Sequence, residues 1–453
     1  MQPIDLSSRR TFLKTSALAA GAVATGSLTA LGHAHASVDD AIRIGLVGCG
    51  GRGTGAALQA LKAHPTVRLV AMADVFADRL QGSLANLTHD DTLESEGLDA
   101  SFRSKIDVPE ERQFVGWEGY LQLLDLVDVV ILTTPPAFRP LHFEAAVRAG
   151  KHVFMEKPVA VDAPGIRRVL AAAEEAKAKR LNVVVGLQRH YQQIYREWIE
   201  RLHDGAIGDL ILSRVYWNSA GVWVHPRADL EAAAGRSLSE LEYQMRNWYY
   251  FNWICGDHIV EQHIHNIDVS NWAKNALPIR AQGQGGREVR VGPDFGEIYD
   301  HHIVEYEYAD GSRMLSQCRH MPGCMNRVSE AFHGTRGSAP RPGEILAPDG
   351  STIWSRDARN DANPYQVEHD ELFAAIAQGE YRFADAERGA DATMTAILGR
   401  MATYSGKVIT WDEAMASELT LGPADPRWET PAPIAPGEDG MYAAPIPGVS
   451  VVL

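Results

Sequence analysis

The sequence predicts a two-domain α/β protein: a doubly wound parallel sheet first, then a second α/β domain with a mostly antiparallel sheet. Three observations lead there. Short apolar runs alternate with helical stretches from residue 42 to about 186, the rhythm of strand–helix–strand units. From about 190 the composition changes: tryptophan and tyrosine cluster, and segments such as 302–308 and 314–318 alternate in polarity as half-buried antiparallel strands do. A chain of 453 residues is also too long for one hydrophobic core.

The first strand is read from Ile42, Ile44, Leu46 and Val47, a run suited to burial on both faces. Gly48, Gly50 and Gly53 follow at G-x-G-x-x-G spacing, with Gly51 and Arg52 between them, and residues 56–63 read as a helix. In that context the first glycine allows a tight turn, the second admits a pyrophosphate, and the third lets the helix pack on the strand. The phosphates would sit where unpaired N–H groups and the helix dipole favour an anion. A second apolar run, 67–72, leads to Asp74, 21 residues after Gly53, where a carboxylate would take the adenosine ribose hydroxyls. The stretch therefore predicts a Rossmann dinucleotide site. The acid favours NAD because it repels the 2′-phosphate of NADP, while Arg52 and Arg79 leave NADP open.

Ahead of this domain, residues 1–36 read as a cleavable leader. Ser8-Arg9-Arg10-Thr11-Phe12-Leu13-Lys14 is a twin-arginine signature, residues 17–31 are apolar and small, and Ala34-His35-Ala36 is a cleavage box. The expected product is a periplasmic protein exported already folded, with no membrane span after the leader. The formal charge of −15 argues against nucleic acid and anionic membrane surfaces as partners. Four cysteines (Cys49, Cys255, Cys318, Cys324) show no metal spacing, and Cys318 with Cys324 is the pair open to oxidation.

Residues 84–107 read as a polar insertion with one short helix. The strand 127–133 ends in Thr134-Pro135-Pro136, a helix 140–149 follows, the strand 152–155 ends in Glu156-Lys157-Pro158, and 182–186 closes the set. The glycine loop, Asp74, Thr134-Pro135 and Glu156-Lys157 all fall at carboxyl ends of strands, where ligands gather in such sheets. These boundaries give a nucleotide-binding domain at 37–187, a substrate domain at 188–421 and an extended proline- and glycine-rich tail at 422–453.

The densest ionisable stretch is Gly256-Asp257-His258-Ile259-Val260-Glu261-Gln262-His263-Ile264-His265-Asn266-Ile267-Asp268. As one helix it would carry His258, Glu261, His265 and Asp268 on one face. Three readings stay open: a polar helix face with satisfied histidines, a metal site lacking the H-E-x-x-H spacing, and a proton-transfer site with His265 as acid/base and Glu261 tuning it. We expect no metal. The aromatic segment 216–253 suits stacking on a hydroxylated ring, although core packing is the better reading for most of its rings. Arg189, Tyr191, Asn247, His258 and His263 are the expected polar substrate contacts.

Taken together, the glycine loop, Glu156-Lys157-Pro158 and the Glu261-to-Asp268 stretch resemble the Gfo/Idh/MocA family (glucose-fructose oxidoreductase, inositol dehydrogenase, rhizopine catabolism). The resemblance extends to a late helix, 385–405, followed by 408–411, a helix expected to pack back on the first domain. It implies the fold just described, an NAD(P) cofactor, and a catalytic set of Lys157, Glu261 and His265, with Glu261 standing where the family has Asp. It implies a homo-oligomer formed through the second sheet. The activity expected is hydride transfer at a carbinol carbon of a sugar, glycoside or cyclitol. Export adds a constraint: with no NAD⁺ pool outside the cytoplasm, the cofactor should be tightly held and recycled in place. The layout also resembles family 109 glycoside hydrolases, which close the redox cycle on one substrate, and there His258 and His263 would serve the extra proton transfers. A binding protein retaining the fold without turnover is the third reading.

Overall fold

The structure is a computed structural model that describes residues 41–423 and 425–453. The twin-arginine leader read from the sequence lies outside the described residues.

Six strands form the first sheet: β1 (Ile42–Val47), β2 (Val67–Asp74), β3 (Gln113–Val115), β4 (Val129–Leu132), β5 (His152–Met155) and β6 (Val183–Val185). Their order is β3-β2-β1-β4-β5-β6, and every pair is parallel. The chain winds outward from β1 in both directions, so the sheet reverses order between β1 and β4, and a crevice opens there. Strands β1, β4, β5 and β6 are almost wholly apolar and buried because helices cover the sheet faces. Residues 84–107 hold more helix than the sequence suggested: Ala77–Thr88, Asp90–Ser95 and a 3₁₀ turn at Ala100–Lys105. Strand β3 was not foreseen, since three half-exposed edge residues carry no period-two signal.

A nine-stranded sheet dominates the second half. Its strands are β7 (Leu210–Ser219), β8 (Arg280–Gly286), β9 (His301–Glu307), β10 (Arg313–His320), β11 (Arg327–Gly334), β12 (Ser338–Arg341), β13 (Glu344–Leu346), β14 (Thr352–Ser355) and β15 (Ile409–Thr410). They are ordered β14-β13-β12-β11-β7-β10-β9-β8-β15, all antiparallel except the β7–β10 pair. Strands β9 and β10 show why the alternation was legible: His302, Val304, Tyr306, Met314, Ser316, Cys318 and His320 are buried, and the residues between them face outward. Both Cys318 and Cys324 are free thiols, the first buried on the inner face and the second exposed.

The helix Ala386–Ser405 is buried along most of its length between the two sheets. Small residues permit this. A Cβ on Gly389 would stand 3.0 Å from Val185 of β6, and one on Gly399 would fall 2.0 Å from the Tyr306 hydroxyl of β9. Thr393 Oγ1 accepts a hydrogen bond from Val159 N, just past the Lys157-Pro158 peptide. The tail forms no helix or strand among its described residues, yet it is anchored at several points. Trp428 packs on Phe76 and Trp117 at 5.5 and 5.0 Å, Gln244 donates to Ile434 O, and Tyr299 donates to Pro445 O.

Candidate active site

The glycine loop connects β1 to the helix Gly51–Ala63. Gly48 adopts φ +94°, and a Cβ there would meet Thr134 N at 2.5 Å; on Gly53 it would meet Gly48 O at 2.0 Å. Both positions therefore exclude a side chain, the first by backbone conformation and crowding, the second by the closeness of helix and turn. Gly50 and Gly51 face open space, the cradle a pyrophosphate needs. Asp74, at the end of β2, accepts from Cys49 N at 2.6 Å and Phe76 N at 2.9 Å, one backbone donor on each oxygen. Each oxygen keeps a lone pair for a ribose hydroxyl. Burial pushes the Asp74 carboxyl above its ordinary pKa, opposed by those two N–H groups and by Arg79.

These residues line a cavity of about 520 Å³. Gly48, Gly50, Gly51, Arg52, Gly53, Asp74, Thr134 and Pro135 form one wall; Trp223, His225, Met245, Arg246 and Trp248 form the facing wall. The residues present fit a dinucleotide: a glycine cradle, a ribose acid and a cavity of ligand size. The aromatic segment thus delivers Trp223 and Trp248 to the cavity that holds Asp74 and Arg79. Arg246 spans the two walls: it pairs with Asp78 at 3.1 Å and lies 4.0 Å above the Phe76 ring.

Deeper on the same rim, Glu156 is paired with Arg52 at 2.8 Å, tying the end of β5 to the glycine loop. Arg139, which sequence reasoning missed, is buried and donates to Glu156 O at 2.6 Å and to Thr134 O, fastening the ends of β4 and β5 together. Burial lowers its pKa to about 10. No local pattern marks an arginine that serves only backbone carbonyls. Lys157 donates from Nζ to Glu261 Oε1 at 2.8 Å and to Glu261 O at 2.5 Å. Both side chains are about one-tenth exposed, so the pair is largely withdrawn from water.

The stretch 257–268 is not one helix. A short turn, His258–Glu261, is followed by a break at Gln262 and His263 and by the helix Ile264–Lys274. The shared face expected for His258, Glu261, His265 and Asp268 is accordingly lost. His263 N reaches back five residues to His258 O, a π-type bond that locally underwinds the chain. Glu261 turns to Lys157. Its second carboxylate oxygen, Oε2, is buried without a partner, as is Nδ1 of His265. The His265 ring stacks on Trp217 with centroids 5.9 Å apart. Burial, then the nearby charges of Lys157 and Arg189, hold His265 well below the usual imidazole pKa and so neutral. These two atoms, beside the Lys157 ammonium, are free to meet polar groups of a ligand.

The five expected substrate contacts are corrected, because each is turned to partners inside the protein; of their side-chain atoms Nε2 of His258 is buried without one. His258 bonds Asp257 at 2.9 Å, and His263 meets Ser316 at 2.8 Å and Asn266 at 3.3 Å, both with no exposed surface. Asn247, equally buried, donates to Asp294 O and accepts from His225 N. Tyr191 donates to Asp385 at 2.7 Å, and Arg189 pairs with Glu330, which also accepts from Tyr195 and Asn266. Buried polar groups must be paired, and most of these partners (Ser316, Asp294, Asp385, Glu330) lie far away in sequence, while Asp257 and Asn266 are neighbours. The ligating atoms of Asp257, His258 and His302 lie within 4.8 Å of one another. The Asp257 carboxylate there already receives Tyr404 OH, Tyr299 N and both His258 donors, the arrangement of a hydrogen-bonded hub.

Several known proteins resemble this chain. Among curated relatives, "Inositol 2-dehydrogenase 3" of Saccharopolyspora erythraea is 27% identical over 273 residues, 60% of this chain and 65% of the relative. A "Glycosyl hydrolase family 109 protein" of Streptomyces coelicolor is 26% identical over 192 residues, 42% of this chain and 35% of the relative. The chain thus spans less than two thirds of the length of either. An aldose-aldose oxidoreductase from Caulobacter crescentus, solved with glycerol, superposes with a TM-score of 0.60 at 18% identity, covering 82% of this chain and 99% of that one; this likeness is one of fold. Residues 42–185 match the family model GFO_IDH_MocA, described as "Oxidoreductase family, NAD-binding Rossmann fold".

Proposed function

We propose that the protein is an NAD-dependent oxidoreductase acting at a carbinol carbon of a sugar, glycoside or cyclitol. The observation that carries this reading is the Lys157–Glu261 pair beside neutral His265, at the carboxyl rim of an NAD-binding sheet. Bound NAD supplies a hydride acceptor at its nicotinamide ring. Gly48, Gly50, Gly51, Arg52 and Gly53 hold its pyrophosphate, Asp74 its adenosine ribose, and Thr134, Pro135 and Glu156 the rim beside it. Lys157 donates to the carbinol oxygen and stabilises negative charge as it develops, while neutral His265 accepts the hydroxyl proton. Glu261 fixes the Lys157 ammonium, and burial leaves all three side chains little exposed to water. Relatives described as inositol dehydrogenases support the substrate class.

Export by the twin-arginine leader to the periplasm remains part of this proposal, and with it a cofactor that is held and recycled. The closed walls support retention. Arg246 bridges to Asp78, and Trp428 of the tail covers the rings of Phe76 and Trp117, all on the adenosine side. Asp74 supports NAD over NADP. The outer face of the second sheet, where Ile303 is 55% exposed, suits contact with a second copy. A redox-neutral hydrolase is the second reading, favoured by the match to the family 109 protein; His258 and His263 are too deeply engaged to serve it. The test is spectroscopic. The purified protein should carry NAD, and adding a ring sugar or cyclitol should raise absorbance near the reduced-nicotinamide band without added cofactor. A nucleotide-free protein with activity strictly dependent on added NAD⁺ would refute retention, and one inert to every polyol with NAD bound would refute the oxidoreductase reading.

A further inference from the structure

On the face of the second sheet that the helices cover, Val328, Trp217, Cys318 and His302 form one row across four strands. Cover fades along that row. His302 and Cys318 are buried, Trp217 is half-buried, and Val328 is 45% exposed. The neighbouring row on the same face, Glu330, Val215, Ser316 and Val304, is buried throughout: Glu330 takes Asn266, and Ser316 meets His263. The Trp217 row is therefore where the sheet emerges from beneath the helix Ile264–Lys274, and it emerges beside His265, whose ring stacks on the indole at an interplanar angle of 27°.

Directly opposed residues on neighbouring antiparallel strands hold their Cβ atoms about 5 Å apart, so Trp217 and Val328 make one continuous apolar plate. We propose that this plate is the floor of the substrate subsite, receiving the C–H face of a six-membered polyol ring whose carbinol then lies against His265 and Lys157. The inference rests on the oxidoreductase reading and adds the shape of its substrate: a ring with one face of C–H groups, as in a β-pyranoside or a cyclitol, rather than an acyclic polyol. The chemistry is complementary. The C–H groups of such a face are weakly positive and meet the negative π face of the indole, while the hydroxyls stay at the ring edge for polar partners. An apolar plate left open beside unpartnered polar atoms of Glu261 and His265 has the mixed lining of a small-molecule site.

The test compares Trp217→Ala, Trp217→Phe and Val328→Ser with the unmodified holoenzyme, using methyl β-D-glucopyranoside, myo-inositol and the acyclic polyol sorbitol. Bound NAD per protein molecule, KM and kcat, and saturable quenching of protein fluorescence are read separately. We expect Trp217→Ala to raise KM about tenfold with bound NAD unchanged, Trp217→Phe to stay within about threefold, and Val328→Ser to shift KM by about threefold. The ring compounds should quench at lower concentration than sorbitol. If Trp217→Ala does not fold, the Phe and Ser variants and the quenching decide. Unchanged KM in the variants, or a loss confined to kcat, overturns the plate and leaves the oxidoreductase reading standing. Failure of all three polyols both to quench and to reduce the bound cofactor overturns both.

Discussion

Replacing Lys157 by Met should separate what the lysine does for the fold from what it does for the reaction. In the native protein its ammonium lies 2.8 Å from Glu261 Oε1 with only 12% of the side chain exposed, and the glutamate is 10% exposed. Methionine fills the space but leaves Glu261 a largely buried carboxylate whose other oxygen already lacks a partner. Losing one member of a buried pair costs about 3–5 kcal/mol. A second replacement, Glu261→Gln, removes the stranded charge and should return most of that stability. Activity should not return with it, because donation to the carbinol oxygen is lost in both variants and general acid–base and electrostatic help of this kind is worth about 10²–10⁴ in rate. The assay is single-turnover reduction of bound NAD, with thermal unfolding run on the same samples and bound NAD checked by absorbance. Turnover within tenfold of the unmodified protein in Lys157→Met would refute the role given to the lysine. A double variant as unstable as the single would refute the buried-charge account.

Gly53→Ala should abolish NAD binding, because the new Cβ would fall 2.0 Å from Gly48 O and force helix and glycine loop apart; equilibrium dialysis of refolded protein with NAD reads this directly. Acid should destabilise the protein through its buried histidines. Burial lowers His142 and His263 to about 3 and His258 to about 4, below an unfolded value near 6.5. Their contribution is fully present above about pH 6.5 and is lost as pH falls from there toward 4, at about 1.4 kcal/mol per pH unit for each; urea titrations at several pH values measure that slope, and a flat profile would contradict it. Trp428→Ala should shorten the residence of bound NAD about tenfold without changing kcat at saturating cofactor, measured by nucleotide loss during dialysis.

The nucleotide-binding half was legible because its determinants are local. Gly48, Gly50, Gly53 and Asp74 act within one strand–turn–helix–strand unit, and the distances between them are set by the geometry of that unit. Lys157, Glu261 and His265 were singled out by motif, and the structure gathers them although more than 100 residues separate the lysine from the others. Sequence reasoning failed where partners are chosen by tertiary structure. His263 read as functional, yet Ser316, 53 residues on, meets its Nε2, and His258 is bonded by its own neighbour Asp257, a pairing that the helical reading did not draw. The helix drawn through 257–268 failed for a related reason: residue types at Gln262 and His263 are compatible with a helix, and the break follows from packing His263 against Ser316 while Glu261 turns to Lys157. Arg139 and Trp428 carried no pattern at all, since one binds carbonyls and the other ends on rings more than 300 residues away.

The cleft is closed unevenly, and the kind of contact closing it bears on how a cofactor would be kept. The ion pair across the walls, Arg246 with Asp78, has an aspartate 60% exposed, so it is screened and worth at most about 1 kcal/mol. The same guanidinium lies 4.0 Å over the Phe76 ring, and Trp428 with Trp117 extends that aromatic surface around the adenosine side. Such stacking survives salt, whereas the ion pair does not. Retention built mainly on the rings should therefore change little between low and high ionic strength. By contrast, the Trp217 and Val328 edge carries no aromatic cover from the described residues of the tail. A protein that must admit and release a polyol while keeping its nucleotide needs that asymmetry: packed rings over the adenosine end, and an open sheet edge beside His265.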